Sequence, residues 1–317
     1  MSASHITRRR MLLSGGGAVA GSLLLDGKIG TASAATQRVR RQHGKLPAKQ
    51  MQEILQAEGT VSDGVLSIDI ARSDIGKSHG PMGVTFTPSF EINGTLNFQP
   101  LGDDLAFFNG DLPLKPHETD AFIDAIIANG LTFQAFHQHY TEMNPQIWFI
   151  HWRGVGAPAA LAKAVHATLK ATGTPLPQTM PSNPKSPLDA KRLAKILHGS
   201  AQIGEDGVVT VDIERKDDIV IEGIQANPDL NIMTEVQFKP HGSTGSRADA
   251  GPDFSLISHE VQPVVKLMRS QGWHVGCLYN QETAEKPQLY FSHMLKTGDA
   301  YALASEIRLA LDKTTSR

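Results

Sequence analysis

His137 and His139 are separated by one residue, and His151 follows the second by twelve. On an extended strand, residues i and i+2 point to the same face, so a His-x-His segment presents two imidazoles side by side. The stretch 132–140 reads as a strand, Glu142-Met143-Asn144-Pro145 as a turn, and 146–153 as the return strand. If His137 stands opposite His151, all three histidines share one face. A slip of one residue sends His151 to the other face. Three imidazoles with Glu142 near the hairpin tip suit one divalent transition-metal ion, zinc or copper being the usual partners of such donors. An open coordination position would let a bound water attack a substrate. A structural role is the competing reading. His151 recurs as His293, where the first two positions have become Tyr279 and Gln281. That pattern fits a buried imidazole bonded to a carbonyl, with one half of the chain active and the other a scaffold.

Other chemistry-bearing residues have plainer readings. Arg72 with Asp74, and Arg215 with Asp217, suit ion pairs at strand ends. Asp111 and Asp253 precede helical segments, where capping or turn-making is the simplest role. His79 lies in a Ser-His-Gly-Pro loop. Cys277 has apolar neighbours and reads as a small buried hydrophobe. It is the sole cysteine, so an intrachain disulfide, a four-cysteine zinc site and an iron–sulfur cluster are all excluded. No nucleophile elbow, P-loop or dinucleotide fingerprint is present, and no nucleotide cofactor is expected.

The elements that must position these residues occur twice. Gly64-Val65-Leu66-Ser67-Ile68-Asp69-Ile70 returns as Gly207-Val208-Val209-Thr210-Val211-Asp212-Ile213, an offset of 143. Asp111 and Asp253, Gly130 and Gly272, and His151 and His293 follow at 142. Order is kept, so the chain reads as a duplication. In the first copy a short helix over 49–58 leads strands over 65–70, 83–92, 95–99 and 106–111, with Asn93-Gly94 as a hairpin turn. A helix over 116–129 carries Phe122, Ile123, Ile126 and Ile127 on one stripe and closes at Gly130. The His-x-His hairpin and a helix over 158–172 complete the unit. Strands in runs joined by short turns make largely antiparallel sheets with helices packed on them. The fold class is therefore α+β, two tandem repeats forming a pseudo-dimer. The predicted divisions are an export signal over 1–34, a basic flexible arm over 35–48, repeat 1 over 49–175, a proline-rich linker over 176–187, and repeat 2 over 188–317.

The chain has 30 basic and 32 acidic residues, but residues 1–50 hold nine of the bases and one acid. The acidic remainder argues against nucleic acid as a partner. Arg8, Arg9 and Arg10, a short Gly/Ala-rich apolar stretch and Ala32-Ser33-Ala34 have the order of a cleaved export signal, with the paired arginines of the twin-arginine type. The apolar stretch is too short to span a bilayer, so no transmembrane segment is expected in the mature chain. A periplasmic or extracellular location follows.

The run Ala135-Phe136-His137-Gln138-His139, Glu142 with Pro145, and His151 with Gly154 and Gly156 resembles the LppY/LpqO family of exported bacterial proteins, a domain of unknown function. Arg72 with Asp74, and Gly110-Asp111, also fit that pattern. The chain departs from it at Gln138, where the family more often has Asn, and at His151-Trp152-Arg153-Gly154, where it often has His-x-His-Gly. The resemblance implies the fold and an exported location, and no reaction. Two function classes stay open: a protein binding a small ligand or metal ion at the hairpin histidines, and a metal-assisted hydrolase or oxidoreductase using the same residues. The sequence names no protein partner.

Overall fold

The computed structural model describes residues 39–316. The expected export signal lies outside them. In the first repeat, helix α1 (Ala48–Leu55) precedes a six-stranded sheet of β1 (Thr60–Ser62), β2 (Val65–Ala71), β3 (Asn93–Gly102), β4 (Leu105–Leu114), β5 (Thr132–His137) and β6 (Trp148–Gly156). Helix α2 (Thr119–Ala128) joins β4 to β5, and α3 (Pro158–Leu169) closes the unit. The second repeat has α4 (Ala190–Leu197), β7 (Ser200–Ile203), β8 (Val209–Ile213), β9 (Thr234–Pro240), β10 (Arg247–Ile257), α5 (Ser258–Ser270), β11 (His274–Val275), β12 (Leu289–Asp299) and α6 (Ala300–Leu311). The first sheet runs β1-β2-β3-β4-β6-β5 and the second β7-β8-β9-β10-β12-β11, the same order, antiparallel throughout. The α+β duplication is thus present strand for strand.

Each sheet packs its apolar face on its own helices. Leu66, Ile68, Leu96, Phe108 and Ile150 meet Phe122, Ile126, Leu161 and Val165 around the fully buried Trp152. In the second core Met294 stands at the position of Trp152, and the fully buried Trp273 packs at the position of Leu131. The stripe on α2 is narrower than its sequence suggests: Phe122 and Ile126 are buried, while Ile127 is exposed. The opposite faces of the two sheets turn toward each other. Two mixed apolar clusters join the repeats, one around Phe107 and Phe291, the other around Tyr140, Val208 and Leu295.

Three expectations fail here. Residues 83–92 do not form a strand: a short turn at Pro81–Gly83, a two-residue strand at Thr85–Phe86 and a turn bonded between Thr87 and Phe90 replace it. Asn93-Gly94 is the start of β3, not a hairpin turn. Gly94 is needed there because a Cβ would stand 2.5 Å from the Asp111 carbonyl. The basic arm is not loose where it is described. Arg40 donates its amide to Gly223, His43 donates its amide to Pro100, and so this strand-like strap touches both repeats. The proline-rich linker is also held, with Gln178 bonded to Gln56, Glu58 and Ala71.

Candidate metal centre between the repeats

Register places the polar side chains. Across the first sheet, Asp69 pairs with Thr95, Thr95 with Asp111, and Asp111 with His151. Across the second, Asp212 pairs with Glu235, Glu235 with Asp253, and Asp253 with His293. Directly paired residues share a face, so each sheet carries one polar row. The rows contribute to a cavity of about 110 Å³ between the repeats. Among the described residues its lining has five carboxylates, Glu91, Asp111, Asp212, Glu235 and Asp253, and no lysine or arginine. Asp111 and Asp253 are therefore mid-strand cavity residues rather than helix caps. Asp111 accepts bonds from the amide and hydroxyl of Thr95 at 2.9 and 2.7 Å.

The hairpin register differs from the one that places His137 opposite His151. His137 pairs with Phe149, and Ala135 with His151, beyond a bulge at residues 133–135. The shift is an even number of residues, so His137 and His151 keep one face. Their Nε2 atoms lie 2.9 Å apart. His139, just past the strand end, joins a different group. Its Nδ1 is 3.2 Å from Glu91 Oε2, and the Nδ1 of His293 from the second repeat is 3.4 Å from the same oxygen. The two rings stack with centroids 3.5 Å apart. One donor atom from each of Glu91, His139 and His293 falls within 4.8 Å of the others, and all three residues are buried. Two donors on a tetrahedral ion with bonds of 2.0–2.1 Å lie about 3.4 Å apart, which matches the Glu91 distances.

Glu91 is held deliberately. Its backbone is left-handed, with φ 68°, and its amide donates to Gln237 Oε1 of the other repeat at 2.9 Å. A Cβ on Gly251 would stand 2.0 Å from Glu91 Oε1, so that glycine makes room for the carboxylate. Buried polar atoms are nearly always bonded, yet His137 Nδ1 and Asp253 Oδ1 have no hydrogen-bond partner, and His293 Nδ1 has only the 3.4 Å approach to Glu91 Oε2.

Charge states differ sharply among the four imidazoles. Burial, then the neighbouring histidines, hold His137 and His139 well below 6.5. Burial pulls His151 down to about 3. Burial also opposes the charge on His293, but Asp253, Glu91 and Asp111 outweigh it and raise its pKa. Burial pushes Asp111 and Asp253 up to about 6 and Asp212 up to about 7.

Glu142 is not part of this cluster. Its turn buries Met143 and Ile147, which leaves Glu142 exposed; the carboxylate among the histidines is Glu91. The second repeat is not a bystander either, since it supplies His293. His79 is exposed and lies 3.3 Å from the Thr85 hydroxyl, outside the cavity. Cys277 is half-buried rather than enclosed. Arg72 and Arg215 do form the expected ion pairs, with Glu118 and Glu260 as second partners.

Glu91 carried no local signal, because its neighbourhood read as a strand. His293 did carry one: it was retained at the repeat offset while the His-x-His pair was lost. Only the apposition of the two sheets brings it beside Glu91 and His139.

The family described as Domain of Unknown Function (DUF1259) matches residues 49–171 and again 191–313. Curated proteins yield no match. Among solved structures, EtuB from Clostridium kluyveri matches with a TM-score of 0.23 at 10% identity, over 81% of this chain and 90% of that one.

Proposed function

This chain belongs to the DUF1259 family, in two tandem copies, and we propose that it binds a divalent transition-metal ion between them through Glu91, His139 and His293. The observation that carries the proposal is the convergence of those three donors within 4.8 Å. His293 Nδ1 faces Glu91 Oε2 at 3.4 Å with no well-formed hydrogen bond, a gap that an ion between them would fill. His139 is neutral at physiological pH, the form that coordinates metal. The ion, or a small ligand on it, would face the acidic cavity. Metal content of the purified chain and calorimetry with zinc test this. Glu91→Gln, His139→Ala and His293→Ala should each weaken zinc binding by more than the roughly 10–100-fold typical of changes to outer-sphere partners. His151→Ala should retain the ion. If loss of His151 and His137 abolishes binding while loss of His293 does not, the ion sits instead with the hairpin histidines and this assignment is wrong.

A second reading has its own support. Asp253, held near 6 beside His293, is suited to take a proton from a metal-bound water, as a metal-assisted hydrolase requires. Turnover of simple chromogenic esters by the metal-loaded chain, lost in Asp253→Asn with the ion retained, would favour it.

The proposal keeps the LppY/LpqO-like character and an export route read from the sequence. Arg8→Lys with Arg9→Lys should leave precursor in the cytoplasm. Normal export of that variant would remove the twin-arginine route.

A further inference from the structure

The two repeats exchange contacts as a symmetric dimer does, each residue meeting the counterpart of its own partner. In this part of the repeat the offset is 140, as Phe98-Gln99-Pro100 and Phe238-Lys239-Pro240 show, so Glu91 is equivalent to Asn231, and both have left-handed backbone, φ 68° and 60°. Glu91 reaches across to Gln237. Asn231 reaches across to Asn97, the equivalent of Gln237, whose Nδ2 donates to its Oδ1 at 2.8 Å. His137 meets His151 at 2.9 Å, and the equivalent Tyr279 meets His293 at 3.3 Å. His137 and Tyr279 themselves stack with centroids 3.6 Å apart, as residues beside a pseudo-two-fold axis would.

Applied to Glu91, His139 and His293, that symmetry generates Asn231, Gln281 and His151. The histidine is kept, while a carboxylate and an imidazole are each replaced by a carboxamide. The amides bond to protein: Asn231 Nδ2 donates to the Thr95 hydroxyl, and Gln281 Nε2 donates to the Asn231 carbonyl. A third difference goes with these two. Gly251, which clears space for the Glu91 carboxylate, is matched by Asn109. Asn109 Nδ2 lies 2.8 Å from the Leu230 carbonyl and 2.7 Å from Glu282 Oε1.

We infer that Asn231, Gln281 and His151 are a silenced second site for a divalent transition metal, the pseudo-symmetric twin of the Glu91 site. This inference rests on the metal reading above. The fold encodes two sites, and three residue differences close one of them with an amide network. The chain holds one ion on the Glu91 side only.

The test restores the twin. Asn109→Gly with Asn231→Glu and Gln281→His should raise zinc stoichiometry from one ion per chain to two. Adding His151→Ala to that variant should return it to one, which separates a built site from surface binding. A folded triple variant that holds a single ion overturns the inference while the Glu91 site stands. A parent chain that holds no ion overturns the metal reading itself. Should the triple variant fail to fold, the reverse exchange decides. Glu91→Asn with His139→Gln copies the amide set into the first site. It should yield a folded, zinc-free chain. Unfolding of that variant under conditions where His139→Ala remains folded would show that the two sets are not interchangeable and would overturn the inference.

Discussion

Burial fixes the protonation of the imidazoles, and that has a measurable cost in acid. The folded His151 has a pKa of about 3 against about 6.5 unfolded. Its folded value is depressed, so the neutral ring favours folding above pH 6.5, and this contribution drains away as pH falls. Each such histidine contributes a slope of about 1.4 kcal/mol per pH unit. His137 and His139 act in the same direction. Urea midpoints of the metal-free chain should therefore drop steeply below pH 6.5, and His151→Gln should make the drop shallower by one such slope. Glu282 has the opposite profile. Burial holds its carboxyl at about 8, against an ordinary value of 4.5. Its folded pKa is raised, so the stability it offers is present in acid and lost as pH rises through 8. Glu282→Gln should melt higher than the parent above pH 8, with little difference near pH 4. At this scale the sequence was legible for His137 and His151, whose rings meet on one face, but not for His139, which lies past the strand end beside Glu91. It was silent on Glu91, because a left-handed glutamate in an irregular loop leaves no periodic trace.

At the level of elements, the buried arginines act as bolts. Arg72 is fully buried and binds Asp74 and Glu118. Glu118 also accepts the Gly173 amide, which pins the end of the α3 segment to the sheet. Arg215, Glu260 and the Thr315 amide repeat the device. Removing the buried glutamate leaves each arginine with only its half-buried aspartate, Asp74 or Asp217, a loss that approaches the roughly 3–5 kcal/mol of a broken buried pair. Glu118→Ala and Glu260→Ala should each show a loss of that order in denaturant unfolding. A loss below about 1 kcal/mol, the worth of an exposed pair, would mean that water reaches the arginine. Helices and long strands were readable because their apolar periods match single buried faces. The loop at 81–92 was not, since Val84, Phe86, Phe90 and Ile92 alternate like a strand. Their apolar side chains serve a cluster shared by both repeats, which produces a strand-like pattern without strand pairing.

Across the whole molecule, the duplication was legible and its consequence was not. Offsets reveal two copies; they do not say which faces meet, and Glu91, His139 and His293 come together only where they do. An ion held by both repeats stabilises their association as well as each fold. Zinc at a hundredfold excess over its Kd should add about 2.7 kcal/mol. Thermal melts should rise with zinc, fall with chelator, and show neither response in Glu91→Gln. The two cores each carry one fully buried tryptophan, Trp152 and Trp273, while Trp148 is only partly buried. Replacing Trp148 by Phe, and then one of the core pair in turn, gives a chain with a single emitter inside a chosen half. Stopped-flow fluorescence of those two chains would time each half's collapse separately. Whether the two traces coincide then reports whether the shared seam forms before or after the cores it joins.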